Sequence, residues 1–188
     1  MAKDGPLEFA VLLGSLRKAS FNAMIARALP ELAPEGVTVR LLDPVGDYPH
    51  YDADLQAEGF PEIVTRTADA IRAADALIFV TPEYNYSIPG ALKNAIDWLS
   101  RLPNQPFAAK PLAIQTASQG PFGGMRCQYH LRQAMVFLDG RVLNKPEIAV
   151  GAVQTRVDAA TGALTDATTR GLIGQQLAAL ADFARRQG

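Results

Sequence analysis

Scarcity narrows this chain before any motif does. Cys127 is the one cysteine in 188 residues, which excludes an internal disulfide framework. One cysteine and two histidines are also poor material for a metal centre. No apolar run is long enough to cross a bilayer. Neither sign of charge dominates. A net charge of -1, with Lys and Arg scattered rather than striped, gives no sign of a nucleic-acid partner. The opening MAKDGPLEF is too polar and too short for a signal peptide, so the expected compartment is cytoplasmic. No repeat, low-complexity tract or linker divides the chain. With 48% hydrophobic and 20% charged residues, residues 1–188 are expected to form one domain with a substantial core.

What is present is organised around Leu12–Asn22, LLGSLRKASFN. The apolar run Phe9–Leu13 stops at Gly14, a short polar loop follows, and a helical pattern starts near Ser20. Ser15, Ser20 and Asn22 offer side-chain donors, and Arg17 offers a charged fork. A strand, a small-residue turn and a helix N-terminus together favour an anion, because unpaired amides and the helix dipole both point at it. The stretch therefore reads as a phosphate cradle. It matches neither GxxxxGK[ST] nor GxGxxG, so nucleotide hydrolysis is not expected.

Apolar spacing predicts a helix over Ser20–Leu32, with Phe21, Ile25, Ala28 and Leu32 on one stripe. Val37–Leu42 reads as the second strand. Residues 43–60 form a polar, proline-bearing connection, read either as a functional or mobile loop or as a solvated insertion. A helix follows from Pro61 to about Ala74. The continuous apolar run Ala76–Val80 suits a strand buried on both faces. A helix from Pro89 or Gly90 to Arg101 spaces Lys93, Asp97 and Arg101 for surface ion pairs. Leu112–Ala117 is the fourth strand and Met125–Leu138 the helix after it. Arg141–Leu143 and Glu147–Val150 suggest a last strand interrupted near Pro146. Gly151–Leu164 is expected to be irregular, before a terminal amphipathic helix marked by Ile173, Leu177, Leu180 and Ala184.

This alternation implies an α/β fold: a doubly wound, three-layer sandwich on a five-stranded parallel sheet of order 2-1-3-4-5. Ligands in that arrangement sit beyond the carboxyl ends of the strands at the switch point. The three most unusual loops follow strands one, three and four, which are neighbours in that order. They are expected to meet at one edge.

Those loops, GSLRKASFN, PEYNYSIPGALKNAIDW and ASQGPFGGMRCQ, resemble the three signatures of the NADPH-dependent FMN reductase family. Within it the chain is most similar to bacterial quinone and chromate reductases. The likeness covers nearly the whole chain and keeps its order and spacing. It implies a flavodoxin-like fold, tightly held FMN, and two-electron reduction of quinones and other small-molecule acceptors by NADPH or NADH. It also implies assembly as a homodimer or homotetramer.

On this reading Gly14, Ser15, Leu16, Arg17, Ser20 and Asn22 hold the FMN phosphate, whose charge needs several donors and a cation. The alternative for Ser20 or Asn22 is a plain helix cap. The resemblance carries Pro82, Glu83, Tyr84 and Asn85 to the flavin ring; a turn with a buried tyrosine is the alternative. Ser118, Gln119, Gly120 and Gly123 are the third set, where glycine permits close backbone approach. The first amides of the helix after Gly124 are placed to face the flavin N1–C2 edge and stabilise negative charge there. The bland alternative is a flexible turn. Arg126, Tyr129, Tyr86 and Glu147 are expected near a subunit interface, or else as ordinary surface residues. Cys127 reads as a buried small hydrophobe, and Trp98 and Phe137 as packing. No side chain reads as catalytic. A flavodoxin-like electron carrier, or a regulatory FMN-binding domain, is the competing class.

Overall fold

Four runs dominated by apolar residues set the sheet. They are β1 (Leu7–Leu13), β2 (Val37–Leu41), β3 (Ala76–Thr81) and β4 (Pro111–Ala117). The computed structural model describes residues 5–187. All strands run parallel, in the order β2-β1-β3-β4-β5, with β6 also paired to β4. Every residue of β3 and of β4 is buried, as expected of strands covered on both faces.

Side chains alternate between two cores. Leu77, Phe79, Leu112 and Ile114 point to one, which also contains Val64, Leu92, Leu99, Leu131 and Met135. Ile78, Val80 and Ala113 point to the other, with Ile25, Leu29, Ile173, Leu177 and Leu180. Thus α3 (Glu62–Ala73), α4 (Gly90–Ser100) and α5 (Met125–Phe137) cover one face. The other is covered by α1 (Phe21–Leu32) and α6 (Ala167–Gln187). Burying each large apolar side chain contributes roughly 1.5–3 kcal/mol, which is why this pattern dictates the layers.

Two segments differ from the expectation. The interrupted last strand is two strands, β5 (Arg141–Val142) beside the start of β4 and β6 (Ile148–Val150) beside its end. They share the fifth position in the sheet, and the intervening Pro146 has no N–H to continue a ladder. The connection 43–60 is not a solvated insertion. It contains a 3₁₀ turn (Val45–Asp47) and a short helix, α2 (Ala53–Glu58), and it buries Val45 and Tyr48. Trp98 anchors it: its indole N–H donates to the Pro49 carbonyl at 2.9 Å, and Tyr51 meets its ring edge-on at 5.1 Å. Asn94 adds bonds of 2.8 Å to Pro49 O and from Tyr51 N.

Lys93 pairs with Asp97 at 2.7 Å, but Arg101 lies over the Tyr51 ring instead of joining them. Trp98 and Cys127 are buried, whereas Phe137 is 91% exposed and packs against no core. Among the described residues no helix is long and apolar enough to cross a membrane.

Candidate cofactor site

The parallel order brings the ends of β1, β3 and β4 side by side, and the loops that leave them wall one cleft. From the first loop come Ser15, Arg17, Ser20 and Asn22, from the second Pro82 and Tyr84, and from the third Ser118 and Gln119. The sequence had not singled out Phe21 and Ala117, which also line it. Phe21 fits the apolar stripe of α1, and Ala117 reads as the plain end of a strand.

The first loop is built for an anion. No carboxylate lies between Phe9 and Pro30. The backbone N–H groups of Leu16, Arg17 and Lys18, and of Phe21 and Asn22 in the first turn of α1, make no hydrogen bond among the described residues. Ser15 is only 8% exposed, and its hydroxyl likewise finds no partner there. Arg17 faces no carboxylate among the described residues; its guanidinium rests 5.5 Å from the centre of the Phe21 ring. A partnerless serine hydroxyl, loose amides and an unpaired cation fit a phosphate monoester.

Two members of that loop have structural duties. Ser20 caps α1, its hydroxyl accepting from Ala23 N at 3.4 Å. Asn22 binds both backbone groups of Ala117: its amide donates to the carbonyl at 3.1 Å and its oxygen accepts the N–H at 3.0 Å. It thereby ties α1 to the end of β4. Gly14 does not reach the cleft wall. A Cβ there would fall 2.3 Å from Thr81 Oγ1, so glycine lets β1 and β3 end close together. Leu16 turns the other way, its side chain against Gly46. There it lines, with Leu41 and Leu42, an adjoining cavity of about 440 Å³ that shares Ser15 and Arg17 with the cleft.

In the second loop Tyr84 N donates to Ser87 O at 3.0 Å and Ser87 N to Tyr84 O at 2.9 Å. Between them Asn85 and Tyr86 have φ of 48° and 67°, the left-handed pair of a two-residue hairpin turn. Tyr84 is half exposed rather than buried. Asn85 sits at the turn and does not line the cleft. Glu83 points away from it. Its carboxylate accepts Arg126 N at 3.0 Å and Cys127 N at 3.2 Å, with the Arg126 guanidinium at 3.3 Å. The expectation that the first α5 amides face a flavin is therefore corrected. Glu83 occupies two of them, and Met125 N donates to Phe122 O.

In the third loop Gly120 is exposed and does not line the cleft, its carbonyl accepting from Ala152 N at 3.1 Å. Gly123 has φ of 61°, and a Cβ there would lie 2.5 Å from the Ala149 carbonyl carbon. No other residue fits that contact without displacing β6. Burial pushes the Cys127 thiol up to about 12, with the Glu83 charge adding to the shift. It is not a reactive nucleophile.

A cleft lined by an anion-seeking loop at the carboxyl rim of a 2-1-3-4-5 parallel sheet is the arrangement of a flavodoxin-like protein. The model of the family described as NADPH-dependent FMN reductase matches residues 7–155, and the chain belongs to that family. It is 56% identical over 181 residues to a quinone reductase of Escherichia coli, covering 96% of each chain. It is 52% identical over 173 residues, 92% of each, to an NAD(P)H-dependent FMN reductase of Pseudomonas aeruginosa. The flavoenzyme NAD(P)H:(acceptor) oxidoreductase of Paracoccus denitrificans superposes with a TM-score of 0.86 at 35% identity. That match covers 97% of this chain and 99% of the other. The protein is thus an oxidoreductase that uses FMN and NAD(P)H.

Proposed function

We propose that this chain is an NAD(P)H:quinone oxidoreductase whose FMN lies in the cleft, phosphate on the Arg17 loop and rings along Pro82 and Tyr84. When bound, FMN supplies the two-electron chemistry between a nicotinamide and a second acceptor. The protein's part is to grip, orient and tune. Ser15, Arg17 and the α1 amides grip the phosphate, while Pro82 and Tyr84 offer one flat wall and leave the opposite side open. Both substrates then use that open side in turn, a ping-pong sequence. Quinones are the proposed acceptors, in keeping with the names of similar proteins. Chromate, azo and nitro compounds are proposed as secondary acceptors because an open site discriminates weakly.

The observation that carries this reading is the set of uncommitted phosphate donors at one end of a solvent-open cleft. We further infer a cytoplasmic homodimer or homotetramer, with Tyr86, Tyr129, Arg126 and Glu147 near the contact. Exposed Tyr86, Tyr129, Val136 and Phe137 support that inference. The test is anaerobic stopped-flow mixing of FMN-loaded protein with NADPH, then with a quinone. Rapid bleaching followed by recovery is expected. Bound flavin that NADPH does not bleach would favour an electron carrier. A chain that stays colourless after incubation with excess FMN would end the cofactor assignment.

A further inference from the structure

Glu83 is set apart by where its side chain goes. The residues on either side of it, Pro82 and Tyr84, line the cleft. Its own side chain, only 13% exposed, passes behind the loop to the start of α5. There its two oxygens take Arg126 N, Cys127 N and the Arg126 guanidinium. Arg126 is held over the rings of Tyr86 at 4.0 Å and Phe122 at 4.7 Å, and is 36% exposed. The arrangement ties the second loop to the third. It also leaves a carboxylate just behind the cleft wall, buried more deeply than its partner cation.

One electrostatic effect follows directly from these contacts. A carboxylate on the first-turn amides cancels the positive end of α5. The Arg126 guanidinium opposes that effect from 3.3 Å, a contact longer than a strong charge-assisted bond. Reduction adds negative charge to a flavin, so a fixed negative charge nearby opposes it.

We propose that Glu83 is a positioning residue that keeps the reduction potential of the bound FMN low, with Arg126 acting in opposition. This rests on the reading that FMN occupies the cleft. A low potential makes the loaded protein a stronger reductant towards its acceptor.

The test compares wild type, Glu83→Gln and Arg126→Gln, each loaded with FMN and equilibrated anaerobically with a reference dye at one pH. Glu83→Gln keeps the side chain's shape and an acceptor oxygen but removes the charge. Its reduced-to-oxidised ratio should rise about tenfold, about 30 mV for a two-electron couple. Arg126→Gln leaves the carboxylate without its cation and should lower the ratio by a similar factor. A purely structural tie predicts loss of thermal stability with no opposed shifts. Unchanged or lowered potential in Glu83→Gln overturns the proposal. Should that variant fail to fold, an unchanged or raised potential in Arg126→Gln overturns it equally. A wild-type chain that retains no FMN overturns the cofactor reading itself, whereas bound FMN indifferent to both substitutions overturns this inference alone.

Discussion

Arg17 and Asn22 stand five residues apart in one loop, yet they do different work. Arg17 has no carboxylate partner among the described residues and rests over Phe21, so its charge is available to a ligand. Arg17→Ala should weaken FMN binding by roughly 2–4 kcal/mol, about one to three decades, through lost charge-assisted hydrogen bonds. A fluorescence titration reads this directly, and unchanged affinity would reject the phosphate assignment. Asn22, by contrast, is bonded to Ala117, 95 residues away. Both are polar residues in a loop motif, and composition alone makes them equal candidates. What separates them is a long-range partner, which no local pattern reveals. The same holds for Glu83, whose partners lie more than 40 residues downstream.

At the scale of elements, burial decided what could be read. β3 and β4 are continuous apolar runs because both faces are covered, and their limits differ from the expected ones by a single residue. Segment 43–60 was harder. Its few apolar residues are held by Trp98 and Asn94 from α4, so its order depends on another element. The last two turns of α5 pose the opposite case. Phe137 reads as packing by type, but Val136 and Phe137 are 80% and 91% exposed while Met135 and Leu138 face the core. The helix has room for one buried stripe, and these two fall outside it. If the proposed assembly covers that face, Val136→Ser with Phe137→Ser should lower the mass seen by light scattering. The double variant should also lose any rise of the thermal midpoint with protein concentration. An unaltered mass would assign that face to solvent.

For the whole molecule, the strand order is what makes one site of three loops. Residues near 15, 83 and 118 become neighbours because β1, β3 and β4 are adjacent. Alternation of strands and helices was enough to predict that convergence. It was silent on which side chains turn into the cleft and which turn back to hold helices. The same close packing has a titratable consequence. Burial pushes the Tyr48 phenol from 10 to about 12 and the Cys127 thiol from 9 to about 12. The two sit in one core. For each the folded pKa is raised, so the native state keeps a proton that the unfolded chain has released. Stability from these groups is therefore complete below about pH 9 and falls as pH rises towards 12. Denaturant unfolding at pH 8, 9.5 and 11 should show that decline, beginning with the thiol and steepening as tyrosine joins. Tyr48→Phe should remove the later part of the slope and Cys127→Ala the earlier part. Each substitution also shifts stability by an amount independent of pH, so the difference in slope is the quantity that counts. A wild-type stability that stays level to pH 11 would mean that these groups reach water in the folded state, and that the core facing α3, α4 and α5 is looser than its packing indicates.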